Sequence, residues 1–172
     1  LQREEGKDEK TIIIDHNDSS SIPVQDYGSP KEKEALNMLV VEDNADMRGY
    51  IRSILREQYH VLEAANGEEA LHILNSNPID FIISDLMMPV MDGIELSRKV
   101  KETFAISHIP FLMLTAKTSQ EARLESYRMG VDEYLLKPFD ETLLLTRIQN
   151  ILENRKRYQR KFTLDMDVDL SL

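Results

Sequence analysis

Residues 37–43 read Asn37-Met38-Leu39-Val40-Val41-Glu42-Asp43, a short apolar run closed by two acids. Three later runs have the same form. Phe81–Ser84 ends in Asp85, Phe111–Leu114 ends in Thr115, and Tyr134–Leu136 ends in Lys137 followed by Pro138. The gaps are 42 residues from Asp43 to Asp85, then 30 to Thr115 and 22 to Lys137. Each is long enough for a helix and a return to a parallel neighbour. Near-continuous apolar runs of this length suit strands covered on both faces. Parallel strands gather their C-terminal ends along one edge, so these polar residues are predicted to meet in one pocket.

The pattern extends outward from those runs. A helix is predicted from about Ala45 to Gln58, with Met47, Tyr50, Ile51, Ile54 and Leu55 at helical spacing. Tyr59–Ala64 reads as a strand and Glu68–Asn75 as a short helix, with Asn77-Pro78 as the break. Ile79–Ser84 is the third strand, and Asp92 caps a helix from Gly93 to about Thr103. Pro110–Leu114 is the fourth strand. A helix from about Ser119 to Met129 stops at Gly130. Glu133–Leu136 is the fifth strand, and Asp140 caps a last helix from Glu141 toward Phe162. Five strands alternating with five helices predict an α/β, doubly wound parallel sheet.

Residues 1–35 differ in character. They hold five basic and nine acidic residues, three consecutive serines (Ser19–Ser21), Pro23, Gly28 and Pro30. Such composition buries too little apolar surface to offset its ordering entropy, and it reads as a flexible linker. Ile12–Ile14 is its one strand-like piece. The globular part is expected over residues 36–155, with a C-terminal helix extension and tail over 156–172. Leu1 in place of Met points to a fragment of a longer protein.

Composition excludes several classes. The 172-residue chain contains no Cys, which removes disulfides and thiolate chemistry. Its four histidines are scattered without metal-ligand spacing. A net charge of −10 argues against direct nucleic-acid binding by this fragment. No run of about 18 apolar residues occurs, so no membrane span is expected within it. The basic run Arg155-Lys156-Arg157 with Arg160 and Lys161 reads as a solvated helix end.

At the shared edge, Glu42, Asp43 and Asp85 would form a carboxylate cluster. Neighbouring carboxylates raise each other's pKa, and a hard divalent cation relieves the repulsion. Magnesium suits oxygen ligands and retains exchangeable waters. Asp85 is the candidate nucleophile, able to form an acyl phosphate. Lys137 would supply an ammonium and Thr115 a hydroxyl to the phosphoryl oxygens.

These residues, with Met88-Pro89-Val90-Met91-Asp92-Gly93 and Tyr134-Leu135-Leu136-Lys137-Pro138-Phe139, resemble the receiver domain of two-component response regulators over about residues 36–155. The resemblance implies a flavodoxin-like sheet of order 2-1-3-4-5. It implies Asp85 as phosphoacceptor, Glu42 and Asp43 as the magnesium pair and the Met87 backbone carbonyl as a further ligand. Thr115 and Tyr134 would be switch residues, Lys137 a phosphate contact, and Lys137-Pro138 often a cis peptide. The implied partner is a histidine kinase domain, in cis or trans, that donates from a phosphohistidine. The implied parent is a cytoplasmic or membrane-anchored hybrid histidine kinase. A DNA-binding output domain outside these residues and a phosphorylation-dependent homodimer through the last two helices are also implied. The chemistry on the fragment would be self-phosphorylation and autodephosphorylation only. Two alternatives stay open: a magnesium-dependent phosphatase with an aspartyl nucleophile, and a receiver-like interaction module that never takes phosphate.

Overall fold

A computed structural model of the chain describes residues 34–116, Leu124 and 130–169. Its five strands are β1 (Asn37–Val41), β2 (His60–Ala64), β3 (Phe81–Asp85), β4 (Phe111–Thr115) and β5 (Glu133–Leu136). Every neighbouring pair is parallel, in the order β2-β1-β3-β4-β5. The winding direction therefore reverses between β1 and β3, and a cleft opens beyond their C-terminal ends.

The pleat of β1 explains the two-faced core. Leu39 and Val41 point to one side, with Ile82, Met113 and Tyr134. Met38 and Val40 point to the other, with Phe81, Ile83, Leu112 and Leu114. The first face is covered by α2 (Gly67–Ser76) and α3 (Gly93–Glu102), through Ala70, Leu74, Leu96 and Val100. The second is covered by α1 (Ala45–Leu55) and α4 (Glu141–Asp169), through Ile51, Ile54, Leu55, Leu144, Ile148 and Ile151. Burial on both faces is why these strands are continuous apolar runs rather than alternating ones.

Short polar side chains start the helices. Asn44, Asn66 and Asp92 accept hydrogen bonds from the backbone N–H groups of Met47, Glu69 and Glu95 at 2.9, 3.0 and 2.8 Å. Asp140 accepts from Leu143 N–H at 2.7 Å. Each satisfies a donor that the first helical turn leaves unpaired.

The expectation of five helices is corrected: four are present among the described residues. The helix expected at Ser119–Met129 lies, apart from Leu124, outside them. Leu124 itself is 55 % exposed. The linker expected over residues 1–35 lies almost wholly outside the described residues, as does Ile12–Ile14.

Candidate phosphoryl site at the sheet edge

Three strands deliver the site. Glu42 follows β1 directly, and its backbone N–H donates to Ala64 O of β2 at 3.0 Å, which continues the sheet one residue beyond the strand. Asp85 closes β3, in register with Leu114 of β4. Lys137 follows β5, and its backbone N–H donates to Thr115 O at 2.8 Å. Residues far apart in sequence therefore meet because backbone ladders hold their strands in register.

Oxygens of Glu42, Asp43 and Asp85 all lie within 4.8 Å of one another. Glu42 and Asp85 are buried, at 1 % and 7 % exposure, whereas Asp43 faces solvent. Among the described residues, one cation answers them. Lys137 Nζ donates to Glu42 Oε2 at 2.8 Å and lies 3.1 Å from Asp85 Oδ1. Among the described residues, three carboxylates against one ammonium leave an excess of negative charge in a partly desolvated place.

Protonation follows from these contacts. Burial pushes the Glu42 carboxyl above the ordinary glutamate value, with hydrogen bonds from Lys137 and the Asn44 backbone opposing it and the Asp85 charge adding to it. Burial works against a charged Lys137, but the Glu42 hydrogen bond and the Asp85 charge outweigh it, so its pKa lies above that of an ordinary lysine. Lys137 is thus held as an ammonium.

The remaining sequence-predicted residues are placed as follows. Thr115 is buried at 5 % exposure, at the end of β4 and beside Leu136 in register. Tyr134 is buried at 9 %, within the α2/α3 face of the core. Met87, two residues beyond Asp85, has an exposed side chain. The Lys137-Pro138 bond is cis. An open groove of about 440 Å³ beside the carboxylates is lined by Glu42, Asn44, Asp46, Met47, Tyr50 and Lys137. The donor set fits a hard divalent ion: it is all oxygen and closely grouped.

Two contributors went unnoticed in the sequence. Arg48 donates from Nη1 to Glu42 O at 2.7 Å while Nε pairs with Glu63 at 3.4 Å, bracing the turn that carries the acids. A basic residue one and a half helical turns after the acidic pair is the only signal for it. Gly93 is the other. A Cβ there would sit 2.3 Å from Asp85 O, so α3 can start this close to β3 only with glycine. The loop between them contains Val90 at φ +70°, and Met91 N–H donates to Pro89 O across it at 2.8 Å. This is the rare, strained form of γ-turn, occupied by a β-branched residue.

A family model described as "Response regulator receiver domain" matches residues 38–149. The chain belongs to the response regulator receiver family. Among curated proteins, it is 42 % identical over 147 residues to "Histidine kinase P4" of Formosa agariphila. That alignment covers 83 % of this chain and 11 % of the relative. It is 36 % identical to the chemotaxis protein CheY of Pseudomonas aeruginosa, covering 69 % of this chain and 97 % of that one. Among solved structures, the signal receiver domain of a histidine kinase from Syntrophus aciditrophicus superposes with a TM-score of 0.67 at 32 % identity, covering 72 % of this chain and 94 % of that one. The chain spans between 8 and 14 % of the first three curated relatives, all histidine kinases by name. No helix among the described residues is long and apolar enough to cross a membrane.

Proposed function

We propose that this receiver accepts a phosphoryl group on Asp85 from a kinase phosphohistidine. The observation that carries the reading is the Lys137 ammonium held between Glu42 and Asp85 beside a cluster of three carboxylates. An Asp85 oxygen attacks phosphorus in line. The P–N bond breaks, its electron pair returns to the imidazole, and an acyl phosphate remains. Glu42, Asp43, an Asp85 oxygen and the Met87 carbonyl would hold a magnesium ion, which supplies charge neutralisation at the phosphoryl oxygens when bound.

The new dianion draws Lys137 from its present bond with Glu42 and recruits the Thr115 hydroxyl. Tyr134, next to β4 in register, follows Thr115 and alters the surface near β5 and α4. Hydrolysis of the acyl phosphate in the same site resets the switch.

The parent protein is a hybrid histidine kinase acting on the cytoplasmic side, with residues 1–35 as linker, 36–155 as receiver and 156–172 leading outward. The names of the first relatives and the small share of each that the chain spans support this reading. A DNA-binding output domain beyond the receiver is in keeping with the "Transcriptional regulatory protein ResD" of Bacillus subtilis, 40 % identical over 116 residues. Phosphorylation also favours a homodimer through the face near β5 and α4.

The test is incubation with acetyl phosphate and magnesium, followed by intact-mass measurement. The wild-type chain gains one phosphoryl group and Asp85→Asn gains none. Labelling that persists in Asp85→Asn, or that survives EDTA undiminished, defeats the reading.

A further inference from the structure

Asp43 is the least supported member of the acidic cluster. Glu42 is held at both oxygens, Oε1 by the Asn44 N–H at 3.1 Å and Oε2 by Lys137 at 2.8 Å. Asp85 accepts from Leu86 N–H at 2.9 Å and lies 3.1 Å from the Lys137 ammonium. Asp43 is exposed, and among the described residues nothing donates to its carboxylate. One of its oxygens nevertheless stays within 4.8 Å of oxygens on both neighbours, against the repulsion of like charges. Its aim therefore comes from the backbone that carries it.

The peptide between Glu42 and Asp43 is planar, so fixing its orientation directs the Asp43 side chain that follows. Before that peptide the chain is tied down by Glu42 N–H, which donates to Ala64 O at 3.0 Å. On the peptide itself the tie is Arg48, whose Nη1 donates to Glu42 O at 2.7 Å. The same guanidinium is steered by Glu63 of β2, 3.4 Å from Nε, and Arg52 holds the other Glu63 oxygen at 3.0 Å. Glu63 precedes Ala64 at the end of β2, so Arg48 bridges the C-terminal ends of two neighbouring strands. A planar fork of donors serves two acceptors in fixed directions, which a lysine ammonium on a flexible stem does not reproduce.

We infer, on the reading that these acids bind magnesium, that Arg48 is a positioning residue for the ion: by holding the Glu42 carbonyl it keeps Asp43 pointed at the place beside Glu42 and Asp85. Arg48 reaches the site only through the Glu42 backbone, as the outer partners that orient metal ligands do. Its charge alone would have the opposite effect. A nearby cation repels a divalent ion, so removing it would tighten binding.

Magnesium alone is titrated into the full chain, and binding is followed by amide NMR shifts near Glu42 and Asp85. Arg48→Met and Arg48→Lys are each expected to bind magnesium about tenfold or more weakly than the wild-type chain. The lysine variant keeps the charge, so a loss in both isolates the geometry. Ile54→Val trims the buried face of the same helix, where Ile54 is 4 % exposed. It is expected to lower Tm in EDTA while leaving magnesium affinity within about twofold of wild type. Unchanged affinity in Arg48→Lys, or tighter binding in Arg48→Met, overturns the positioning role and leaves the phosphoryl-site reading standing. An Ile54→Val chain that loses as much affinity as the Arg48 variants overturns it too, since any loosening of α1 would then suffice. A wild-type chain that takes up no magnesium at tens of millimolar overturns both.

Discussion

Replacing Lys137 by Met tests the electrostatics of the site without reference to catalysis. The ammonium makes two contacts, 2.8 Å to Glu42 and 3.1 Å to Asp85, and Glu42 is 1 % exposed. Methionine keeps most of the volume but leaves a buried carboxylate unpaired beside two others. Breaking a buried ion pair in this way costs about 3–5 kcal/mol. The Lys137 side chain is 18 % exposed, so water compensates in part and about 3 kcal/mol is expected. For a domain of this size that corresponds to roughly 10 °C in Tm.

The assay is thermal unfolding by circular dichroism in EDTA and again in millimolar magnesium. The variant is expected to melt roughly 10 °C below wild type in EDTA. It should gain more from magnesium than wild type does, because the ion now answers carboxylates that lack their ammonium. Adding Glu42→Gln to Lys137→Met should restore much of the loss, since the unpaired charge is removed along with its partner. A Tm within about 2 °C of wild type in EDTA, or a smaller magnesium gain in the variant, would refute the argument.

Gly93→Ala forces a Cβ to 2.3 Å from a backbone oxygen that cannot swing aside. A loss of at least about 2 kcal/mol in urea unfolding is expected, along with impaired acetyl phosphate labelling. Val90→Gly removes a β-branched side chain from φ +70°. Relief of strain set against glycine's added entropy should stabilise the fold by about 1 kcal/mol, read from the denaturant midpoint. Burial lowers the Lys101 pKa, with Asp132 opposing and Arg155 adding to the effect. The folded chain therefore holds that proton less tightly than the unfolded one. Its stability should gain a rising component as pH climbs from the folded pKa toward the ordinary lysine value. Lys101→Met should abolish that component, as pH-dependent unfolding will show.

The strands were legible because burial on both faces leaves an unbroken apolar signature. β1 and β5 begin and end where the sequence places them, while β3 starts at Phe81 rather than Ile79 and β4 at Phe111 rather than Pro110. In β4 the reason is plain, since Pro110 has no N–H to give the ladder. Helix ends were less legible. α1 stops at Leu55, not Gln58, with Gln58 and Tyr59 N–H both turning back to Leu55 O. α4 runs past Phe162 to Asp169, because no Gly or Pro follows Pro138 to stop it. The fifth helix was expected over a stretch that, apart from Leu124, lies outside the described residues. At the site, the sequence order of polar strand ends pointed to Glu42, Asp85, Thr115 and Lys137 sharing one edge. Arg48 and the approach that Gly93 permits were hidden, since both depend on distances between elements rather than on any local pattern.

The anchoring of α4 at Arg155, which donates to His108 O and to Asp132 Oδ1, has a mechanical consequence. Measured along the helix at about 1.5 Å per residue, the arm from Glu141 to Arg155 is about 21 Å long, and so is the arm from Arg155 to Asp169. The first arm is packed in the core through Leu144, Ile148 and Ile151, so the rod is a cantilever clamped along half its length. A tilt of the whole helix by about five degrees about Glu141 would move its far end by about 4 Å. The clamped arm starts four residues after Lys137. A small adjustment there would be delivered enlarged some 40 Å away, without any change in the helix itself.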